Sequence, residues 1–285
     1  MSAPDPAAST EHQLLVVIDP VARRADGESV RIAKDVLCAG AHAKICLPEG
    51  PEEFARVLGR RGNRRLVVIG DDRALVRSVT LLHRERDRAR GALSLVPVGP
   101  PPALELARSL GVPVGAVAAA RSVLDGAVRW LDLLVDDSDA VVLGGLRLPT
   151  ADPAPPGWGR TPPGSVWHAC RSLVRTLVGP APARAAPPAQ RLRVEADGVL
   201  LTDLHQPVTG VSVSSRGGAG KAEVVVELPS GDLMTAEALA VTVSGADFRY
   251  RRDGVVGGPV RTRTWTVRAG AWGLTLPVDE SGGRR

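Results

Sequence analysis

The sequence predicts an α/β architecture followed by an all-β one: a doubly wound, mainly parallel α/β domain, then an antiparallel β-sandwich or barrel. Three observations carry this reading. Short, continuous apolar runs alternate with helical patterns as far as residue 148, the signature of a sheet covered on both faces. Residues 149–189 are punctuated by proline. Beyond them the hydrophobic period falls to two, with glycine-containing turns between the runs.

Taken in order, Leu14 to Ile18 is an apolar run that Asp19-Pro20 ends. Glu28 to Ala39 places Val30, Ala33, Val36 and Leu37 on one helical face, with Gly40 as the stop. Ala43 to Leu47 is the second strand, and Pro51-Glu52-Glu53 opens a helix with proline and acids in its first turn. Leu66 to Ile69 is the central strand, running through Gly70-Asp71-Asp72 into a helix from Arg73. Leu93 to Val98 is a further strand, followed by Gly99, three prolines and a helix through Leu104 to Gly111. A helix over Gly115 to Val128 leads to strands at Trp130 to Val135 and Ala140 to Leu143. One helix, Ser165 to Leu177, is expected within the proline-rich stretch. Strands follow at Arg191–Ala196, Val208–Ser214, Ala222–Leu228, Ala238–Ser244, Phe248–Arg251, Arg261–Val267 and Gly273–Leu276. The turns between them are placed at Asp197-Gly198, Gly217-Gly218, Ser230-Gly231, Asp253-Gly254 and Gly257-Gly258. The resulting division is a tail (1–12), an α/β domain (13–148), a linker or excursion (149–189), a β-domain (190–277) and a second tail (278–285).

Composition narrows the class. The 285 residues suffice for two ordinary domains, and 44 % hydrophobic with 24 % charged residues is the balance of a soluble globular chain. Aromatics are only 3 %, so the cores must be built from Val, Leu and Ala. Lys and Arg exceed Asp and Glu by a net +5, scattered along the chain, and no nucleic-acid partner is expected from so small an excess. Cys38, Cys46 and Cys170 form neither a C-x-x-C pair nor an even set, which points to a reducing compartment. The polar start, Met1 to Gln13, lacks the features of a signal peptide. No apolar run approaches the ~18 residues of a membrane span. A cytoplasmic protein is expected, with any membrane contact peripheral.

The stretch Leu66 to Leu75 is where function should sit, because open α/β sheets bind ligands where strands end and helices begin. Its order resembles the diacylglycerol kinase-like lipid kinases, which include bacterial lipid kinases and sphingosine kinases. Their first strand ends in N-P, here Asp19-Pro20. Their G-G-D-G-T-L falls on Gly70, Asp71, Asp72, Arg73, Ala74 and Leu75, matching at Gly70, Asp72 and Leu75. Their P-L-G-T-G-N-D-F-A-R-S-L-G-I-P is similar to Pro97-Val98-Gly99 and Glu105-Leu106-Ala107-Arg108-Ser109-Leu110-Gly111-Val112-Pro113. Leu131-Asp132-Leu133 resembles a later l-D-l element, and Asp253-Gly254-Val255 a late D-G-E.

The resemblance implies ATP and Mg2+ as cofactors, a lipid hydroxyl as acceptor, and a cleft between the two domains. It places Gly70, Asp71, Asp72, Arg73, Gly99 and Glu105 around the nucleotide, Asp72 and Asp71 on magnesium, and Asp253 as the base that activates the alcohol. It also implies that the final strands pack back on the first domain.

Phosphoryl transfer relies on positioning and electrostatic stabilisation, which need backbone N–H groups near the phosphates and a carboxylate-held metal. Asp71 and Arg73 replace two glycines of the signature, and Ala74 replaces a hydroxyl ligand. A carboxylate ~4 Å from a phosphate charge is repelled by roughly 1 kcal/mol in water and about 4 at an effective dielectric of 20. Pro100, Pro101 and Pro102 have no N–H to donate, and Val255 stands where the family has Glu. These departures point to a degenerate member, a non-catalytic lipid- or partner-binding or regulatory protein. The alternative is an active ATP- and Mg-dependent lipid kinase in which Arg73 binds phosphate and Asp71 with Asp72 shares magnesium. In the plainest reading Asp71 or Asp72 is a helix N-cap.

Other features have plain explanations. Gly217 to Lys221 resembles a P-loop fragment, but no Ser/Thr follows Lys221 and a strand comes next, so a hairpin loop is expected. Asp197-Gly198 and Asp253-Gly254 read as hairpin turns. His12, His42, His83, His168 and His205 show no metal-ligand spacing, and Cys170 reads as a core residue. Arg60-Arg61 with Arg64-Arg65, and Arg84 to Arg90, read as solvated faces able to approach anionic lipid. Trp158 and Trp167 are candidates for an interfacial or partner-binding patch.

Overall fold

In the computed structural model the described residues are 13–85, 92–149, 189–215 and 220–278. The first part runs β1 (Gln13–Ile18), α1 (Pro20–Ala25), α2 (Gly27–Gly40), β2 (His42–Cys46), α3 (Pro51–Gly59), β3 (Arg65–Gly70), α4 (Asp72–Arg84) and β4 (Ala92–Pro97). A 3₁₀ turn (Pro101–Leu104), α5 (Glu105–Ser109), α6 (Ala116–Asp125) and β5 (Ala127–Asp136) follow. The strands are parallel in the order β2-β1-β3-β4. Because the chain winds outward from β1 in both directions, the ends of β1 and β3 form a topological switch point. Leu14 to Ile18 and Leu66 to Ile69 are buried throughout, since helices cover both faces. On one face Leu15, Val17 and Val68 pack with Phe54, Leu58, Leu75 and Val79 of α3 and α4. On the other, Val16, Ile18 and Val67 pack with Val30, Ala33 and Leu37 of α2 and with Ala119, Ala120 and Val123 of α6. Each such large apolar side chain contributes about 1.5–3 kcal/mol on burial.

Several boundaries differ from the sequence expectation, among them the strands expected at Ala238–Ser244 and Phe248–Arg251, which form the single strand Ala240–Arg252. Pro20 does not merely stop β1. It opens α1, with Asp19 as N-cap accepting the Val21 N–H at 2.7 Å, because proline at the first helical position forfeits no internal hydrogen bond. The helix expected to reach Val128 ends at Asp125, and Gly126 turns it into β5. A Cβ on Gly126 would meet the carbonyl oxygens of Ser122 at 2.3 Å and Leu276 at 2.4 Å.

The second part comprises β6 (Val141–Val142), β7 (Leu146–Leu148), β8 (Gln190–Ala196), β9 (Val199–Thr202), β10 (Pro207–Val208) and β11 (Gly210–Ser214). It continues with β12 (Ala222–Glu227), β13 (Leu233–Ala238), β14 (Ala240–Arg252) and β15 (Val255–Leu276). Alternation along β8, β11 and β12 buries every second residue, as a half-covered antiparallel sheet requires. Strands β8 and β14 share a core with β7, β11 and β12, centred on Val194, Val213, Val224, Val241, Val243 and Trp265. Asp197-Gly198 and Asp253-Gly254 are hairpin turns with both residues at positive φ.

The Gly257-Gly258 pair, expected as a turn, lies inside β15. Gly257 faces Tyr250 across the ladder, where a Cβ would come within 2.6 Å of the Tyr250 ring. The glycine therefore makes room for an aromatic, and that ring packs edge-on against Trp265 at 5.2 Å. The runs expected as separate strands at Arg261–Val267 and Gly273–Leu276 are likewise one strand, broken only by a register shift between Arg268 and Trp272. The end of β15 enters the first sheet, parallel to β4 at Gly273 and Leu274 and antiparallel to β5. The Ser165–Leu177 helix, Cys170, His168, Trp158, Trp167 and Gly217 to Ala219 lie outside the described residues, as does Arg86 to Arg90.

Candidate functional site

The ends of β1, β3 and β4 converge at the switch point. The Asp19 N–H donates to the Ile69 carbonyl at 2.9 Å, and the Val98 N–H donates to that of Gly70 at 2.9 Å. The buried Asp19 carboxylate also meets Arg77 at 2.8 Å, and that guanidinium lies over the Phe54 ring at 5.5 Å from its centroid. A Cβ on Gly70 would stand 2.6 Å from Ala74 Cβ, so only glycine lets α4 start this close to β3. Gly99 lies against the same turn, its Cβ position 3.5 Å from Asp71 Cβ.

Asp71 is the N-cap of α4, its Oδ1 accepting the Ala74 N–H at 3.0 Å. Its neighbour works differently. The Asp72 carboxylate accepts the Leu106 N–H at 2.8 Å on Oδ2 and the Ala107 N–H at 2.9 Å on Oδ1, and so anchors the start of α5. Burial pushes its pKa up, the two amides pull against that, and the charges of Asp71 and Glu105 add to the rise. Arg73 and Glu105 are exposed.

Asp253 sits at positive φ in the β14–β15 turn. Its carboxylate accepts the N–H groups of Leu143 and Gly144, both at 2.7 Å. Burial drives its pKa up against those amides. Asp72 and Asp253 thus flank one seam. The Leu106 amide belongs to Asp72, and the Leu106 side chain abuts Gly144, where a Cβ would fall 2.7 Å from Leu106 Cδ1 and 3.2 Å from Asp253 Oδ1.

A third carboxylate was not legible in the sequence. Asp136, at the end of β5, accepts Ser138 N–H at 2.9 Å, Ser138 Oγ–H at 2.6 Å and Ala140 N–H at 3.0 Å on one oxygen. Arg252 and Arg263 approach the other at 3.8 and 3.9 Å. Burial raises its pKa, but the Ser138 and Ala140 hydrogen bonds and the Arg263 charge outweigh it, and the net shift is downward. Asp136 and Asp253 therefore hold the two ends of the loop that carries Gly144. Its only sequence signal is an Asp-x-Ser at a strand end.

Among the described residues no three or more His, Cys, Asp or Glu side chains gather closely enough to hold a metal ion. Asp71 and Asp72 are adjacent, with one oxygen of the first and both oxygens of the second engaged by backbone amides. No helix among the described residues is long and apolar enough to cross a membrane.

No family model matches the sequence, and no curated protein matches it. Solved structures do. Three solved structures from Bacillus anthracis str. Sterne, each named as a diacylglycerol kinase and provisionally so in two of the three, superpose on the chain with TM-scores of 0.70, 0.69 and 0.68. Each match covers 93 % of this chain and 97 % of the other, at 13, 13 and 12 % identity. The chain has a diacylglycerol kinase-like fold. Within that fold the Gly70 turn, Gly99, α5 and Asp253 meet at the seam just described. Gly217 to Lys221 contributes nothing to the seam through its described residues, since the Gly220 N–H goes to Asp132 and the Lys221 ammonium to Glu237.

Proposed function

We propose that this chain is a binding or regulatory protein built on the diacylglycerol kinase-like fold, one that recognises a lipid or protein partner without transferring phosphate. The observation that carries the reading is Asp72. The one acid retained from the signature has both oxygens committed to the amides of Leu106 and Ala107 inside a buried joint. A carboxylate so engaged is a structural cap, and recruiting it to magnesium would strand two buried donors.

The residues present do not fit magnesium-ATP. Asp71 places a second negative charge at the turn and already caps α4. The Gly99 loop continues into Pro100, Pro101 and Pro102, which offer no N–H to a phosphate. At the far side of the seam Asp253 stands without the glutamate of the D-G-E pattern, its oxygens turned to the Leu143 and Gly144 amides.

Calorimetric titration with magnesium-ATP, run beside phosphate-transfer assays on diacylglycerol and sphingoid lipids, tests the proposal. Neither binding nor transfer is expected. Transfer to either lipid above the no-protein background overturns the non-catalytic reading and favours the unorthodox kinase, in which Arg73 supplies the phosphate contact and Arg73→Ala abolishes turnover.

A further inference from the structure

On the side away from β2, the sheet of the first part ends in an edge without the usual protection. Among the described residues, Ala127 to Leu131 of β5 pair only with Leu276 to Trp272 of β15, and β6 joins β5 farther on, at Leu134 and Val135. The outward N–H and C=O groups of this stretch have no strand beside them, and its ladder to β15 runs without a bulge. Such an edge is a template for a further strand. Other edges are guarded: β2 exposes Lys44, β13 exposes Glu237, and β9 and β10 are only four and two residues long.

Alternation decides what the edge shows. Val128 pairs with Thr275, whose Oγ1 accepts the Ser94 hydroxyl at 2.8 Å from the next strand, β4. Ser94 in turn pairs with Val67, which packs with α2 and α6. Val128 and, two residues on, Trp130 therefore lie on the α2 and α6 side of the sheet. The cover of α6 stops before them: Thr275 is 5 % exposed, Val128 43 % and Trp130 42 %. Arg129, between the two, belongs to the opposite face.

We propose that this edge pairs with the same edge of a second copy of the chain, antiparallel about a two-fold axis at Val128, so that one sheet runs through both molecules. The register is self-complementary. Val128 meets the partner's Val128, Arg129 meets the partner's Ala127, and Trp130 meets the partner's Gly126. The backbone of Gly126 is extended, at φ −78° and ψ 168°, so it continues the strand, and it sets no side chain against the indole. No like charges meet across this axis, whereas an axis one residue further on would oppose two Arg129 side chains. The Val128 and Trp130 side chains of both copies then cover one another in the strip left bare beyond the two α6 helices. Isologous two-fold contacts of this kind are the commonest in homo-oligomers. An edge of five residues is only about 17 Å long and makes a small interface, so a reversible monomer–dimer equilibrium follows. An extended peptide of another protein is the weaker fit, because such recognition reads alternate side chains in pockets and this strip presents two apolar side chains instead. The contact does not depend on what the seam binds.

Sedimentation equilibrium of the full chain over a wide concentration range tests the assignment. A monomer–dimer equilibrium is expected. Trp130→Ala should weaken it by about 100-fold, roughly tenfold for each copy. Val128→Lys sets two ammonium groups face to face on the axis and should leave the chain monomeric throughout. Both side chains are exposed, and unchanged circular dichroism would confirm that the variants fold. Amide exchange locates the contact: the outward N–H groups between Ala127 and Trp130 should be protected at dimer concentrations and lose that protection on dilution and in Val128→Lys. A chain that stays monomeric up to its solubility limit overturns the proposal and gives the edge to another partner. A dimer that Val128→Lys leaves intact, or one in which these amides gain no protection, overturns it equally.

Discussion

Replacing Asp72 by alanine removes the acceptor of two buried amides at once, those of Leu106 and Ala107. Each stranded donor costs about 1–3 kcal/mol, or about 2–6 for the pair. Part of this is offset, because burial already disfavours the ionised carboxylate, as the upward displacement of its pKa records. A net loss of about 2–4 kcal/mol at neutral pH follows, concentrated where α5 meets α4. The sign of the pH dependence is fixed by the same displacement. A carboxyl whose folded pKa lies above its unfolded value of about 3.9 stabilises most below that value, and the contribution is lost as the pH rises through the folded pKa. The gap between wild type and Asp72→Ala should therefore narrow from pH 4 toward pH 7. Amide hydrogen exchange reads the joint directly. The Leu106 and Ala107 amides should exchange about 30- to 1000-fold faster in the variant at neutral pH, while amides in β8 to β13 hardly change. Exchange within threefold of wild type at both amides would refute the structural role of Asp72 and return it to the ligand site that its place in the signature suggests.

Three further outcomes are expected. Gly144→Ala drives a methyl group into Leu106 Cδ1 at 2.7 Å and should cost about 1–3 kcal/mol; denaturant melts of Gly144→Ala combined with Leu106→Ala should show the steric share of that cost recovered relative to Leu106→Ala alone. Asp136→Asn should destabilise by about 2 kcal/mol at pH 7, and because the folded pKa of Asp136 is depressed, the stability it supplies is lost only as the pH falls through that folded value, so urea midpoints from pH 7 to pH 3 should fall less steeply in the variant. Gly126→Ala sets a methyl group against two backbone carbonyl oxygens, at 2.3 and 2.4 Å, with no side chain able to yield; soluble expression should drop sharply, and a melting temperature within a few degrees of wild type would contradict the close approach of α6 and the end of β15.

Much of the fold was legible because burial leaves a one-dimensional trace. Leu14 to Ile18, Leu66 to Ile69 and Leu93 to Val98 are apolar at nearly every position, since the strands they form are covered on both faces. Asp71 as N-cap and Asp253-Gly254 as a turn could be read because their chemistry is local. What escaped depends on partners distant in the chain. Pro20 looks the same whether it ends a strand or opens a helix. Gly257 is a turn residue by composition and an interior one by its neighbour, Tyr250. Gly144 is crowded by Leu106, and Asp136 is approached by Arg252 and Arg263; neither spacing carries a periodic signal. At the candidate site the sequence does not show what each carboxylate holds, because the donors to Asp72 and Asp253 are backbone amides, which every residue except proline has.

The entry of β15 between β4 and β5 bears on how the protein is made. Gly273 is the parallel neighbour of Ala92, yet the ribosome, at roughly 5–20 residues per second, delivers it on the order of 10–40 s later. Throughout that interval β4 has an open edge, and the stretch of β5 from Ala127 to Leu131 lacks the strand to which it is paired in the finished sheet. Neither half can be completed as an autonomous unit during synthesis, and a nascent chain stalled before Ala271 would offer that edge to chaperones or to other chains. The sheet that was begun first is sealed only once Gly273 to Leu276 has been added to it.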